Sequence, residues 1–245
     1  MMKSAAKARY HHGALEQALV DEAVRQVRER GTDQVSLRGL AQIIGVSPSA
    51  AYQHFPDKAA LLHAVCLAGG HELGRRMQAA VDAVPEDSDG GAIDRFQAVG
   101  RAYVEFAVGE PHLFRHVFGP LGVEGGTAEH EIPGLDDDAE PDGPYAILLE
   151  RLAELGARGL LRPGLQPGSG IDVFAWSLVH GFSSLVVDGF LPLEAGEGLL
   201  MMFGRLILTD PAFETFAAAV AARPALQVVP GGAAPARTPE APGGR

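Results

Sequence analysis

The sequence predicts an all-α protein, and three observations carry that prediction. Apolar residues recur at i, i+3, i+4 and i+7 through nearly the whole chain. Capping residues precede these periodic runs, and glycine or proline follows them. No stretch alternates apolar and polar residues as a half-buried strand would, and no tight hairpin signal is present.

The elements follow in order. Leu15, Leu19, Ala23 and Val27 recur every four residues, with Val20 and Val24 alongside, and Gly31 ends this first helix. Ser36 is placed to cap a second helix carrying the stripe Leu37, Leu40, Ala41 and Ile44, which Gly45 closes. Ser47-Pro48 opens a third helix with a cap followed by proline, whose missing N–H costs nothing at the first helical position. It runs to about Phe55, and Pro56-Asp57 breaks and recaps the chain before a long helix from Lys58 to about Val84. Helices are expected over Ile93–Val108, Pro111–Phe118, Pro144–Arg158, Ile171–Val187 and Pro192–Leu208, with a short one over Pro211–Ala222. The helix at Ile171–Val187 is so apolar that it should be buried. Residues 119–143 lack periodicity and hold Asp136, Asp137 and Asp138, which predicts a mobile acidic loop. The Pro- and Gly-rich residues 223–245 should be disordered.

The chain thus divides into a basic N-terminal arm at 1–12, a small domain at 13–73, a larger helical domain at 74–222 and a tail. With 245 residues, 47% of them hydrophobic, it can bury a sizeable core. The longest uncharged apolar stretch, Val173–Val187, has 15 residues. That is short of the roughly 20 a membrane span needs. The N-terminus lacks the apolar core of a secretory signal. Cys66 is the sole cysteine, which excludes an intrachain disulfide and a thiolate zinc cluster. A cytoplasmic protein without membrane partners is expected.

The net charge of −11 argues against nucleic acid until it is divided along the chain. Residues 1–70 hold eight Lys/Arg against six Asp/Glu, a net of +2, so the excess negative charge lies in the larger domain. Within the small domain, two short helices joined by Gly45-Val46 form a helix-turn-helix at about 36–55. Pro48, Ser49, Ala50, Tyr52 and Gln53 are left for the outer face of its second helix. Short and hydrogen-bonding side chains near a helix N-terminus suit close approach to base edges in a major groove.

The run "VSLRGLAQIIGVSPSAAYQHFPDKAALLHAV", from Val35 to Val65, resembles the DNA-binding domain of the TetR family of bacterial transcription regulators, and "RYHHGALEQALVDEAVRQVRERG" before it resembles that family's first helix. The resemblance implies that Arg38 reaches a base or phosphate and that Ser49, Ala50 and Gln53 face base edges, with Ser47 and Pro48 at the helix entry. It implies phosphate contacts for Tyr52, His54 and Lys58. The arm, with Lys3, Lys7, Arg9, His11 and His12, either lies along the DNA or is merely solvated. Two further segments, "YVEFAVGEPHLFRHVFG" and "WSLVHGFSSLVVDG", resemble the C-terminal domain of a subgroup named for Trp, His and Gly, here Trp176, His180 and Gly181.

In the larger domain, Tyr103, Phe106, Phe114, Phe118, Trp176 and His180 either line an effector pocket or form plain core. His180 would orient a ligand or report pH, or else bond a neighbouring helix. Gly181 would permit close helix approach. His112 and His116 share a helix face, but no third metal ligand with firm spacing accompanies them. Arg101 and Arg115 either meet an acidic effector or form surface ion pairs. No nucleophile elbow, phosphate loop or dinucleotide fingerprint is present. The expectation is a non-enzymatic, homodimeric regulator that needs no cofactor or metal, binds a palindromic double-stranded DNA operator, and in the leading reading is a repressor answering to a small-molecule effector. A ligand-independent regulator or activator is the nearest alternative. A small-molecule-binding protein or enzyme with a purely structural helix-turn-helix is the alternative from another class.

Overall fold

The computed structural model describes residues 2–118 and 143–223, with side chains from residue 13 onward. The described residues form ten helices: α1 (Met2–Arg30), α2 (Leu37–Ile44), α3 (Pro48–His54), α4 (Lys58–Asp82), α5 (Asp89–Gly109), α6 (Pro111–Phe118), α7 (Pro144–Ala157), α8 (Ile171–Val187), α9 (Ala195–Ile207) and α10 (Asp210–Ala222). A lone antiparallel bridge between Leu161 and Leu208 is the one extended pairing among them. No described helix is long and apolar enough to cross a membrane. The backbone of residues 2–12 continues α1, while the arm's side chains, the acidic stretch at 119–142 and the tail at 224–245 lie outside the described residues.

The periodic stripe of α1 is the reason it docks. Leu19, Ala23 and Val27 are fully buried against Leu37, Leu40, Ala41, Ala51 and Phe55, which come from α2, α3 and the residue after α3. α4 then carries the chain from this small unit into the larger domain, burying Leu61 and Val65 near its start and Leu73, Met77 and Val81 further on. α5 is the central helix, packed by α4, α6, α7, α8 and α10. Its entry turn is clamped by the buried Arg95, whose Nη1 donates to the carbonyls of Val84 at 3.0 Å and Glu86 at 2.7 Å. The same guanidinium pairs with Glu154 of α7.

α6 sits where the two domains meet, and its contact with α4 is close. The His116 Nε2–H donates to the Leu62 carbonyl at 2.8 Å, and the Cys66 thiol faces the Val117 carbonyl at 3.7 Å. Gly69 makes this approach possible, because a Cβ there would collide with Val117 and lie 3.3 Å from Leu113.

Two expectations about α8 are corrected. It is not buried all round: Val173, Phe174 and Leu185 stand 44–55% exposed. Hydropathy alone could not distinguish a helix covered by its own chain from one left open on one side. Nor does Gly181 bring another described helix close, since a Cβ there would have nothing within 4 Å. It lies on the open side of α8.

Candidate nucleic-acid interface and effector cleft

The helix-turn-helix is built by local hydrogen bonds that its sequence specifies. Ser36 accepts from the Gly39 N–H and caps α2. Gly45 takes the left-handed conformation, φ 81°, and the N–H groups of Gly45 and Val46 both reach the Ala41 carbonyl, closing the helix in a Schellman turn. Ser47 accepts from the Ala50 N–H at 3.3 Å and starts α3, with Pro48 in the first turn. Asp57 accepts from the Ala60 N–H at 2.8 Å and starts α4. Every turn between α2 and α4 is therefore pinned, and the orientation of α3 is set by caps as well as by its buried Ala51.

This places Pro48, Ser49, Tyr52 and Gln53 on the exposed side of α3, with Ala50 partly covered among them and Arg38 and Lys58 exposed nearby. The Lys58 ammonium reaches the Asp33 carbonyl at 3.4 Å, a solvent-exposed contact that a phosphate oxygen can replace. Ser47 is exposed, but its hydroxyl is spent on the cap and lies 3.2 Å from the Ser49 hydroxyl.

His54 departs from the expected phosphate contact. Its imidazole is 2% exposed and turned towards α1, with Nδ1 3.4 Å from Glu16 Oε2. It follows Tyr52 by two positions, about 200° around a helix, so the two side chains cannot share a face. Gln42 and Ile43 on α2 were not anticipated as surface residues beside this face, yet both are exposed. The i, i+4 spacing of Arg38 and Gln42 was the available signal.

A charged node joins this unit to the larger domain. Glu110, between α5 and α6 and only 5% exposed, pairs with Arg28 of α1 at 3.3 Å and Arg76 of α4 at 3.2 Å. Glu72 also holds Arg76, at 2.9 Å, and burial opposes while the Arg76 and Arg75 guanidiniums favour its charged form, leaving its pKa below the usual carboxylate value. The Arg76 guanidinium lies over the Phe106 ring, 5.3 Å from its centre.

The aromatic residues named from sequence divide into two groups. Tyr103, Phe114, Phe118, Trp176 and His180 form a packed cluster with ring centres 5.2–6.4 Å apart. The Tyr103 hydroxyl bonds His180 Nδ1 at 2.9 Å, and Nε2 lies 3.5 Å from the Ser184 hydroxyl. His180 is thus tied to the neighbouring helix. The open space lies on the other side of Tyr103 and Trp176, in a cleft between α5, α8 and α9 walled also by Val99, Val179, Leu200 and Phe203. Phe106, Phe114, Phe118 and His180 do not line it, because they face α4 and α6 or the cluster itself.

His116 is 3% exposed with Nε2 committed to Leu62, and no group of three or more candidate ligands occurs among the described residues. Arg101 pairs with Glu105 and Arg115 with Asp188, as ordinary surface pairs do.

Burial lowers the pKa of both His116 and His180, the bond to Leu62 partly opposing it at His116. The sign follows from linkage: a depressed imidazole pKa gives stability that is full above the unfolded value of about 6.5 and declines as pH falls through the folded value. Glu72, Glu154 and Asp172 are also held low, so their contributions are lost only at more acidic pH. Urea unfolding midpoints are therefore expected to fall between pH 7.5 and 5.5, and His116→Gln should shrink the difference. An unchanged midpoint across that range would contradict the buried neutral imidazoles.

Comparison with known proteins agrees with this geometry. The model for bacterial regulatory proteins of the tetR family matches residues 19–65, which span α1 to α4. The model for the tetracyclin repressor-like C-terminal domain matches residues 96–209. The latter, and not the Trp-His-Gly subgroup, is the match found for the larger domain. No curated protein matches the chain. A structure of a protein of unknown function from Rhodococcus sp. RHA1 is 28% identical, covering 86% of this chain and 94% of its own, with a TM-score of 0.57. A tetR-family regulatory protein from Rhodococcus RHA1 is 19% identical over 80% of this chain and 98% of its own, TM-score 0.54. A TetR-family regulator from Pectobacterium atrosepticum is 22% identical over 80% and 92%, TM-score 0.57. These two share the all-α fold. With both domains matched in chain order and the helix-turn-helix built as described, the chain belongs to the TetR family of DNA-binding transcription regulators and is not an enzyme.

Proposed function

We propose that this regulator is a cytoplasmic homodimeric repressor that reads a palindromic operator with two copies of α3 and is released from it by a small molecule held in the α5–α8–α9 cleft. The observation that carries the dimer is the apolar face left open on α8 and α9. Phe174 and Leu185 on α8, and Met202 and Leu206 on α9, are 44–67% exposed. Gly181 and Gly198 fall at helical spacing within the same stripes, with nothing within 4 Å of a Cβ at either. A self-complementary pairing of the two helices removes this face from water, and the glycines let the partner helices approach. One α3 reads only a half-site, so a two-fold dimer matches a palindrome.

On that operator, Ser49, Ala50 and Gln53 face base edges, while Arg38, Tyr52 and Lys58 hold base or phosphate. Gln suits adenine and an alanine methyl suits thymine, so an A·T pair is expected under α3. Effector binding shifts α5 and α6, and the Glu110 node and the α4–α6 contact transmit the shift to α1 and α4. The separation of the two α3 helices then no longer fits the spacing of the half-sites. The packed aromatic cluster is the one observation that favours a ligand-independent regulator, and the cleft on its opposite side weighs for the effector.

The test is stoichiometry and affinity on paired and single half-sites. Two protomers should bind one palindrome, with a single half-site at least ~100-fold weaker, since simultaneous engagement of two sites is lost. The modest basicity of the DNA-binding unit predicts a salt slope of a few phosphates per subunit. Equal affinity for the half-site would overturn the dimeric reading.

A further inference from the structure

We infer that the cleft accepts an uncharged, hydrocarbon-rich molecule and discriminates against both anions and cations. The inference rests on reading the cleft as the effector site and names the chemistry of its ligand. Among the described residues, four side chains with polar ends reach its wall, Gln97, Arg101, Tyr103 and Trp176; the last offers only the neutral indole N–H, and the other three are already committed elsewhere. Gln97, 6% exposed, donates from Nε2 to the Phe216 carbonyl at 3.2 Å and accepts at Oε1 from Arg223 Nη1 at 2.8 Å. Its amide thereby fastens α10 to α5 and is not offered to a ligand. The Arg101 guanidinium is paired with Glu105 one turn along the same helix, so the two side chains together carry no net charge. The Tyr103 hydroxyl is held by His180, and burial keeps the phenol un-ionised.

The rest of the wall is aliphatic or aromatic, with Phe96, Trp176, Phe182 and Phe203 prominent. An ionic ligand head inside this space would find no opposite charge without first breaking an internal pair, and a buried charge without a partner is strongly disfavoured. A hydrocarbon body loses nothing polar and gains contact along the wall. The acidic character of the larger domain as a whole does not decide the matter, because no carboxylate among the described residues lines the cleft.

Trp176 supplies the readout. It is the chain's one tryptophan and lies in the cleft wall, so its emission reports occupancy without interference from another indole. Decan-1-ol, decanoate and decylammonium share a chain and differ in charge. Titrated into the full-length protein, decan-1-ol should change Trp176 emission saturably, at least ten-fold more tightly than either ion. Val99→Phe, which narrows the cleft, should abolish that response while DNA binding is retained. Decanoate or decylammonium binding as tightly as the alcohol would overturn the inference, as would a saturable response surviving in Val99→Phe or no binding of the alcohol to the wild type. The wild-type comparison stands even if Val99→Phe fails to fold. Tight binding of the alcohol with unchanged DNA affinity would support the ligand chemistry and overturn the effector role of the cleft.

Discussion

Leu206→Glu is expected to turn the dimer into a monomer and to lower operator affinity by roughly 100-fold or more, because two half-sites can no longer be engaged at once. Leu206 is 55% exposed among the described residues, so the substitution leaves the protomer intact. In the dimer, two-fold symmetry places two new carboxylates in one apolar interface, each without a partner. An unpaired buried charge is disfavoured by several kcal/mol. Sedimentation equilibrium on the wild type and variant checks the first half of this expectation, and operator titration the second. Unaltered thermal unfolding of the protomer is part of the result. A variant that stays dimeric would show that α8 and α9 are not the interface.

Ala50→Glu is expected to abolish specific DNA binding while leaving fold and dimer intact, which makes it the sharper probe of α3. Position 50 is the third residue of the helix that Ser47 caps. Glutamate there completes a capping box, its carboxylate reaching back towards the Ser47 N–H, so helix stability should hold or rise slightly. On DNA the same carboxylate faces the base edges and the phosphates that flank them, where negative charge is repelled and the small methyl surface is lost. The loss should exceed about 100-fold at every salt concentration tested, with an unfolding midpoint no lower than the wild type's. Binding within a few-fold of the wild type would place α3 away from the groove.

The contrast between the two sites explains how much of the molecule was legible in its sequence. The helix-turn-helix could be read residue by residue because its geometry is local: Ser36, Gly45, Ser47 and Asp57 act on neighbours within four positions, and each does what its residue type predicts. His54 was misread because burial of an imidazole against α1 depends on a contact 38 positions away. The same holds in the larger domain. The sequence leaves Tyr103, Phe106, Phe114, Phe118 and Trp176 alike as pocket wall or plain core; Tyr103 and Trp176 border the cleft, and the three phenylalanines do not. Which side of Tyr103 is packed and which is open depends on how α4, α6, α8 and α9 meet, and helical periodicity does not encode that. The α8 helix shows the remaining limit. Its hydropathy is that of a buried helix, and the structure shows that the described residues cover only one side. Glu110 was invisible for a related reason, since a glutamate before a proline reads as a solvated corner until Arg28 and Arg76 are seen to close over it.

Whether two copies of α3 read a palindrome is tested most directly by selecting bound sequences from random duplex DNA with the wild type and Tyr52→Ala in parallel. Tyr52 is 45% exposed on α3 and contributes nothing to the core that would confound the comparison. A two-fold-symmetric consensus with an A·T pair in each half is expected, enriched by the wild type and lost or strongly weakened in the variant. Enrichment of a single unpaired half-site, or the same consensus at the same strength from both proteins, would contradict it.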